Sequence, residues 1–264
     1  KVLHPIGGRA MLSYVLGSVD RTRPNINVVI VGPNAERVKQ LTTPATIFVT
    51  QTDQLGTGHA LLQSQVRIED KVDYILVING DLPLITEATL QRLMDHHVST
   101  KAVMSLLTSH NTTPRGLGRV IRNSDHKVQK IVEDIEVTSS ERAIEETCVG
   151  AYTFSRAWLW SNLNKLKTHA TGEYFLTDLV EVATNQSKSV EAIDIANHNE
   201  GLGVNDRVDL ARVTQIIYER TRKYCMQNGV TIVDPARASM PLSVISFRSS
   251  FNSLRLTSSV HWTK

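Results

Sequence analysis

Apolar positions along this chain fall into two patterns that alternate. Short continuous apolar runs occupy residues 26–31, 46–50 and 73–78, and apolar residues at helical spacing occupy residues 11–19 and 35–41. Continuous runs of this length are typical of buried strands, and the spaced pattern is typical of helices that cover a sheet. The alternation therefore indicates an α/β fold.

Shorter strands follow toward the middle of the chain. Thr86 is placed to cap a helix that precedes a strand at residues 102–107, and residues 119–133 have the pattern of a hairpin whose second strand ends at Glu133. Further elements are predicted, in chain order, as a strand at residues 146–154, a helix capped by Ser155, a helix reached through residues 172–184 and a helix at residues 206–226. The last helix is charged on one face and apolar on the other, which favours an exposed helix that leads away from the domain.

Composition and cysteine content narrow the class of protein. The 264 residues are 41% hydrophobic and 21% charged, which is enough for one large core. The sequence has no apolar run long enough for a membrane helix and no signal-peptide pattern, so we expect a cytoplasmic protein without a membrane span. Cys148 and Cys225 have no C-x-x-C partner, which favours two buried cysteines over a disulfide framework or a thiolate zinc site.

The net charge of +3 comes from the end of the chain. Residues 237–264 contain four cationic side chains and no carboxylate, so the remainder is close to neutral. A nucleic-acid-binding surface needs a basic stripe in the folded part, and the sequence indicates none. Trp158 and Trp160 are accordingly assigned to packing rather than to base stacking. His96 and His97 face different sides of a helix, so we expect a solvated helix end there rather than a metal site.

The strongest indication of chemistry lies between Gln51 and Asp81. A glycine-rich loop, QTDQLGTGHA, opens a helix, and the strand at residues 73–78 then runs into NGDLPLI. Free backbone N–H groups at the positive end of a helix bind phosphate well, and a carboxylate just past a buried parallel strand lies at the sheet edge where ligands bind. Asp81 beside a phosphate indicates Mg²⁺. Each feature alone is also explained by an ordinary turn or a helix cap.

In this order the two features resemble the uridyltransferase (pyrophosphorylase) domain of the bacterial bifunctional enzymes that make UDP-N-acetylglucosamine. The resemblance extends along most of the chain through the motifs KVLHPIGGRAML, GLGRVI, IVED, GEYFLTDL, GVNDR and NGVTIVDPA. It implies a Rossmann-like nucleotide-diphospho-sugar transferase fold, with a mixed, mostly parallel sheet and helices on both faces. It also implies the Mg²⁺-supported reaction of UTP with N-acetylglucosamine 1-phosphate, which gives UDP-N-acetylglucosamine and pyrophosphate for cell-envelope precursors.

The resemblance also implies roles for individual residues. Lys1 matches a lysine that contacts the nucleotide phosphate, and Asp81 and Asn205 match the two Mg²⁺ ligands, so Lys1 and Asp81 are the candidate catalytic residues. Gln51 matches a glutamine that recognises uracil, whose imide edge requires a donor and an acceptor together. The other matching positions contact the nucleotide or the sugar and are Gly56, Thr57, Asn79, Gly80, Gly118, Glu133 and Cys148.

Two of these positions depart from the family's pattern. Asn79 stands where the family has tyrosine. Cys148 stands where the family has asparagine, so a weakly bonding thiol replaces an amide that hydrogen-bonds in both directions. Both departures bear on sugar affinity and selectivity. Two alternatives therefore stay open, namely a transferase for another sugar phosphate or nucleotide, and a catalytically inactive chain that binds a nucleotide.

The resemblance predicts a division of the chain into four parts. These are a nucleotidyltransferase domain at 1–205, a linker helix at 206–227, the start of a left-handed β-helix at 228–236 and an atypical basic, serine-rich tail at 237–264. The family's first strand and its triphosphate-binding LAAGxGTRM loop precede the position that Lys1 matches. We therefore expect a fragment that lacks the first strand, folds marginally and has little activity, and that is a monomer because the trimerising β-helix is absent.

Overall fold

The computed structural model describes residues 1–33, 35–42, 46–68, 70, 72–111 and 116–238. The predicted serine-rich tail, apart from its first two residues, lies outside the described residues. The strands are β1 (Pro5–Ile6), β2 (Arg9–Ala10), β3 (Val28–Val31), β4 (Ile47–Thr50), β5 (Tyr74–Ile78), β6 (Met104–His110), β7 (Arg119–Arg122), β8 (Val128–Val132), β9 (Glu146–Ser155) and β10 (Val190–Asp194). The α-helices are α1 (Met11–Arg21), α2 (Glu36–Lys39), α3 (Gly56–Ser64), α4 (Glu87–Thr100), α5 (Arg156–Leu163), α6 (Leu179–Asn185) and α7 (Arg207–Gln227).

The main sheet has six strands with β9 at its centre. One edge of β9 pairs with β6, which pairs in turn with β10, and the other edge is shared by β5 and β7, with β8 beyond β7. β10 is parallel to β6, whereas β9 is antiparallel to β5, β6 and β7, and β8 is antiparallel to β7. Thus β5, β6, β7 and β10 run in one direction and β8 and β9 in the other. The predicted mixed sheet is confirmed, but its described ladders are mostly antiparallel rather than mostly parallel, because β9 runs against all three of its neighbours.

The expectation that Asp81 follows a buried parallel strand is wrong in detail. The strand before it, β5, pairs antiparallel with β9 along all five of its residues, and only Ile75 is fully buried. The long strand β9 lies directly beside β5 and runs in the opposite direction, so the pairing there is antiparallel. A separate two-stranded parallel sheet is formed by β3 and β4.

Helices cover both faces of the main sheet. Consecutive strand residues point to opposite faces, so neighbouring residues of β6 pack against different helices. Leu106 packs in a cluster with Leu61 of α3, Leu159 of α5 and Leu179 of α6. Leu107, the next residue, packs in another cluster with residues of α4. The two clusters form the cores on either side of the sheet.

Helix α7 begins where the sequence provides a cap for it. The Asp206 carboxylate accepts hydrogen bonds from the N–H groups of the first turn, and the Asp209 carboxylate accepts one from the Asp206 N–H, which is a capping box. The helix does not lead away from the domain over its first half, because Val213 and Ile217 are buried in a cluster with Ile6, Met11, Leu84 and Val204. The role of α7 as a linker stays a prediction.

The histidine pair on α4 is only partly as expected. His96 is partly exposed, but the side chain of His97 is fully buried, with Nδ1 2.8 Å from the Ser105 hydroxyl of β6. The expectation of a solvated helix end is therefore wrong for His97, since α4 turns this residue toward the sheet. Cys148 and Cys225 are both buried, as predicted. Within the described ranges, no helix is long and apolar enough to cross a membrane.

Candidate functional site

A cavity lies where one edge of β9 changes partner from β5 to β7. Two backbone hydrogen bonds flank this change of partner. The Asn79 N–H donates to the Gly150 carbonyl at 2.9 Å, and the Cys148 N–H donates to the Gly118 carbonyl at 2.8 Å. On the opposite edge of β9 the ladder with β6 shifts register at the same level, as bulges beside functional sites do. Six of the predicted site residues line this cavity: Asn79, Asp81, Gly118, Glu133, Cys148 and Asn205.

Asp81 and Asn205 meet at the cavity although they are distant in sequence. The Val204 N–H donates to the Asp81 carbonyl at 3.1 Å, and the Asn205 N–H donates to the Asp209 carboxylate at 2.9 Å. These backbone bonds place the Asn205 amide beside the Asp81 carboxylate. The Lys1 ammonium donates to Asp81 Oδ2 at 2.6 Å and to Asn205 Oδ1 at 3.1 Å.

The residues predicted to bind Mg²⁺ have a donor set that fits the ion. The two side-chain oxygens already converge on one cation, the Lys1 ammonium. One carboxylate and one amide oxygen are hard ligands, and Mg²⁺ is typically held by one or two carboxylates together with substrate phosphates. Within the described part of the chain there is no group of three or more His, Cys, Asp or Glu side chains that could hold a metal ion.

Glu133 lies inside the cavity with Gly118 beside it. A side chain at Gly118 would come within 2.8 Å of Ile131 and 3.4 Å of Glu133 Oε2, so a glycine is needed for this approach. The Thr177 hydroxyl donates to Glu133 Oε1 at 2.7 Å. Burial raises the pKa of Glu133, against the effect of the Thr177 hydrogen bond. The loop residue Gly116 is fixed by Asp134, whose other oxygen pairs with the buried Arg119 at 2.9 Å.

Cys148 and Tyr152 form the polar part of the cavity wall contributed by β9. The Cys148 thiol donates to the Tyr152 hydroxyl at 3.2 Å. Burial raises the pKa of Cys148 to about 12 and raises that of Tyr152 well above its ordinary value, so both groups are neutral. Asn79, the other departure from the family's pattern, packs over Gly150. A Cβ at Gly150 would lie 2.4 Å from the side-chain nitrogen of Asn79.

Lys1, Gln51, Gly56, Thr57 and Gly80 are not among the residues that line the cavity. Lys1 reaches Asp81 and Asn205 through its ammonium, and Gly80 lies against apolar side chains of Leu12 and Val2. The remaining three, Gln51, Gly56 and Thr57, lie in the glycine-rich loop.

The glycine-rich loop is docked onto a later segment of the chain. A Cβ at Gly56 would lie 2.7 Å from the Tyr174 carbonyl, and the Gly58 N–H donates to the same carbonyl at 2.8 Å. The Tyr174 N–H donates to the Leu55 carbonyl, and the Leu176 N–H donates to the Thr57 hydroxyl at 3.0 Å. The expectation of free N–H groups for phosphate is therefore wrong for Gly58, because Tyr174 already uses its N–H.

Gln51 also differs from expectation in what it offers a ligand. Its side-chain nitrogen donates to the Gly56 carbonyl at 3.0 Å and lies 3.0 Å from His59 Nδ1. The two amide hydrogens therefore have partners within the protein, and only the amide oxygen remains for a ligand.

Sequence reasoning did not identify several residues that shape this site. Thr177 and Tyr174 belong to the motif GEYFLTDL, which carried the resemblance, and this was the signal that could have identified them. Arg119, Asp134 and His59 also lie in motifs of the resemblance, namely GLGRVI, IVED and QTDQLGTGHA. Tyr152 lies in none of these motifs, and its role comes from its contact with Cys148 in the cavity wall.

The chain is similar to known proteins over most of its length. Residues 1–182 match the family model described as the MobA-like NTP transferase domain. The chain is 39% identical over 236 residues to the Bifunctional protein GlmU of Enterococcus faecalis, and 41% identical over 236 residues to the protein of that name in Streptococcus uberis. These alignments cover 89% of this chain and 52% of each relative, so the chain spans about half the length of the curated relatives it matches.

Solved structures share the fold at low sequence identity. The apo form of a UDP-glucose pyrophosphorylase has a TM-score of 0.68 and 12% identity, over 84% of this chain and 91% of that chain. A 4-diphosphocytidyl-2C-methyl-D-erythritol synthase from Anaerococcus prevotii has a TM-score of 0.60 and 12% identity, over 82% and 92% of the two chains. The predicted nucleotide-diphospho-sugar transferase fold is confirmed.

Proposed function

This chain belongs to the family of MobA-like NTP transferase domains, and from this premise we propose that it is the nucleotidyltransferase part of a UDP-N-acetylglucosamine pyrophosphorylase. Its substrates would be UTP and N-acetylglucosamine 1-phosphate, and its products UDP-N-acetylglucosamine and pyrophosphate. The observation that carries the proposal is the convergence of Asp81 and Asn205 at the mouth of a cavity that contains Glu133.

The cavity has the chemistry of a sugar site. Its lining includes Glu133, Thr177 and Tyr152, together with Gly118 and Gly150, which have no side chain. A carboxylate accepts hydrogen bonds from the hydroxyls of a hexose, and a protein hydroxyl can both accept from them and donate to them. A sugar bound here has its phosphate at the mouth, near Asp81 and Asn205.

The reaction needs positioning and charge stabilisation rather than a protein nucleophile. A phosphate oxygen of the sugar phosphate attacks the α-phosphorus of UTP, the bond from that phosphorus to the bridging oxygen of the β-phosphate breaks, and pyrophosphate leaves. Lys1 is placed to stabilise the phosphate charge once its ammonium turns from Asp81 to the nucleotide. Glu133 and Thr177 orient the sugar so that its phosphate lies in line.

Asp81 and Asn205 are the residues that would hold Mg²⁺ in this site. When bound, the ion stabilises negative charge on the phosphates of the nucleotide and of the leaving pyrophosphate. The Asp81 carboxylate supplies the negative charge of the ligand pair, and the Asn205 amide supplies a neutral oxygen.

Calorimetry of the chain with UTP and Mg²⁺, beside an assay of pyrophosphate release, tests this function. In a version of the chain that carries the family's LAAGxGTRM loop before Lys1, Asp81→Ala should reduce turnover about a hundredfold or more, because it removes the charged ligand. Asn205→Ala should reduce it less, since water can replace a neutral ligand. Asp125→Ala, in the exposed turn between β7 and β8, is the matched control. If Asp81→Ala binds UTP and Mg²⁺ as tightly as the unmodified chain does, the assignment of Asp81 as a metal ligand is wrong. If the unmodified chain binds no UTP, the proposed function is wrong.

A transferase for another hexose 1-phosphate is the second candidate, and Cys148 favours it. The Cys148 thiol bonds to Tyr152 and leaves no amide at this point of the cavity wall. A panel of hexose 1-phosphates with and without a 2-acetamido group distinguishes the two candidates. Faster turnover of a sugar that lacks the acetamido group supports the second.

A further inference from the structure

Gln51 belongs to a chain of side-chain hydrogen bonds that continues through His59 to Gln63. Gln51 follows β4, and its backbone N–H donates to the Val31 carbonyl at 2.8 Å, which continues the ladder with β3. His59 lies on the first turn of α3, and its Nε2 is 3.1 Å from the amide nitrogen position of Gln63, one helical turn later. The base-recognition residue is thus tied to a strand end and to a helix.

The orientation of the Gln51 amide is fixed by two acceptors. The Gly56 carbonyl can only accept, so the group that faces it at 3.0 Å is the amide NH₂. The same nitrogen faces His59 Nδ1 at 3.0 Å, and an amide nitrogen can only donate, so Nδ1 is the acceptor. An NH₂ group has two hydrogens, and both are used.

The tautomer of His59 follows from its role as an acceptor. A neutral imidazole that accepts at Nδ1 carries its proton on Nε2, which must donate to an oxygen. The oxygen and nitrogen of a side-chain amide exchange places by a flip, so Gln63 can present its oxygen to Nε2. This exchange gives up only the long 3.4 Å contact from Gln63 to the His59 carbonyl.

We propose that His59 is a specificity-determining positioning residue, which holds the Gln51 amide so that only its oxygen is offered to the base of the nucleotide. The proposal rests on the function proposed above. An acceptor selects a base that has an N–H at the facing position. Uracil has such a donor at N3, whereas N3 of cytosine is itself an acceptor. Uracil is therefore selected by the acceptor alone, and not by the donor and acceptor of the amide together.

The first test of the proposal needs no nucleotide. Long-range ¹H–¹⁵N correlation spectra of the ¹⁵N-labelled chain report which ring nitrogen of His59 carries the proton, with His59→Asn used to assign the signals. We expect the Nε2–H tautomer. An Nδ1–H tautomer, or a charged ring at the pH of the binding measurements, overturns the proposal because neither can accept from Gln51.

The second test compares three pyrimidine nucleotides. Calorimetric affinities for UTP, CTP and N3-methyl-UTP are measured in the presence of Mg²⁺. The unmodified chain should prefer UTP, and N3-methyl-UTP, which lacks the N3 donor, should bind as weakly as CTP. Equal affinities for UTP and N3-methyl-UTP overturn the proposal without any substitution in the protein.

Variants of His59 separate positioning from general support of the fold. His59→Leu removes the acceptor and releases one amide hydrogen, so the ratio of UTP to CTP affinity should fall about five- to tenfold, the effect of one hydrogen bond. His59→Asn places an oxygen at the position of Nδ1 and should retain most of the ratio. Gln63→Leu removes the oxygen that supports the Nε2–H tautomer but leaves the acceptor in place, so it should lower the ratio less than His59→Leu does.

The outcomes distinguish this proposal from the proposed function. A chain that binds none of the three nucleotides overturns both. A chain that binds UTP, but whose UTP to CTP ratio is the same in His59→Leu, overturns the role of His59 alone. A lower ratio of UTP to CTP affinity in His59→Leu, together with a normal ratio in His59→Asn, supports the proposal. A merely structural defect would weaken the binding of both nucleotides equally and leave the ratio unchanged.

Discussion

At the scale of single residues, the surroundings of each polar group decide what it can do. Glu133 is a buried carboxyl, and burial raises its pKa although Thr177 stabilises the charged form. Asp178 and Glu136, which lie nearby, add to the rise through their negative charge. A carboxyl in such a place is costly for the fold, and a carboxyl with a raised pKa in a cavity is typical of a functional site.

Glu133→Gln should therefore separate stability from sugar binding. Glutamine keeps an oxygen for the Thr177 hydroxyl but carries no charge, so above the folded-state pKa of Glu133 the variant should be as stable as the unmodified chain or more stable by about 1 kcal/mol. This difference should disappear below about pH 4.5, where the carboxyl is protonated in both states. Affinity for the sugar phosphate should fall at the same time. Urea unfolding at pH 4.5 and pH 8, with calorimetry, measures both effects, and a less stable variant with normal sugar affinity would contradict the role of Glu133.

At the scale of elements, local patterns predicted most strands and helices but not how they meet. The run of apolar residues in β5 and the Thr86 cap of α4 are local signals, and the structure has both elements where they were predicted. The exchange of partners along β9 is not local, because it depends on where Asn79 and Gly118 bond to it. For the same reason the sequence placed Asp81 and Asn205 together only through the resemblance, and it could not show that Tyr174 uses the Gly58 N–H.

His97 joins a helix to a strand, a contact that the sequence did not predict. It makes the free energy of unfolding depend on pH. Its ring joins α4 to β6 and meets Tyr74 edge-on, and burial, with a smaller effect of His96, lowers the pKa of His97 to about 4. The unfolded chain takes up this proton near pH 6.5 and the folded chain only near pH 4, so the folded state is destabilised as the pH falls between these values. The loss is on the order of 3 kcal/mol.

His97→Gln should remove this dependence. Urea unfolding free energies of the unmodified chain and of His97→Gln are compared at pH 7, 5.5 and 4.5. We expect the unmodified chain to lose stability more steeply toward acid than the variant, whatever their difference at pH 7. His96→Gln, one position away and partly exposed, serves as the control and should keep the steep slope. Parallel curves for the unmodified chain and His97→Gln would show that folding does not lower the pKa of His97, which would contradict the prediction.

At the scale of the whole molecule, one segment connects the proposed nucleotide and sugar sites. Residues 169–178 contact the glycine-rich loop through the backbone of Tyr174 and Leu176, and they contact the cavity through the Thr177 hydroxyl. The anchor of the segment is His169, whose Nδ1 is 2.6 Å from Glu136 and whose Nε2 is 2.7 Å from Asp178. Its ring also packs on Phe175 at a centroid distance of 4.4 Å. Displacement of this segment would therefore disturb both sites together.

The anchor at His169 makes the connection between the two sites depend on pH. Burial alone lowers the pKa of His169, but the hydrogen bonds and charges of Asp178 and Glu136 outweigh burial and raise it. Burial also raises the pKa of Asp178, so the charged bridge exists between the raised pKa of Asp178 and the raised pKa of His169. Below pH 6.5 the unfolded chain is protonated at this histidine as well, so the stabilisation is fully present between the raised pKa of Asp178 and pH 6.5. It is lost as the pH rises through the folded-state pKa of His169.

His169→Leu should therefore destabilise the chain more at pH 6 than at pH 9, because only the charged ring pairs with both carboxylates. Urea unfolding at the two pH values measures the difference, and Glu136→Gln, which keeps a hydrogen-bond acceptor but removes one charge, should show a smaller difference of the same sign. Calorimetry at pH 6 should show weaker binding of both UTP and the sugar phosphate to His169→Leu, since Tyr174 and Thr177 lie on the segment that His169 anchors. If only one of the two ligands were weakened, the segment would not connect the two sites as a unit.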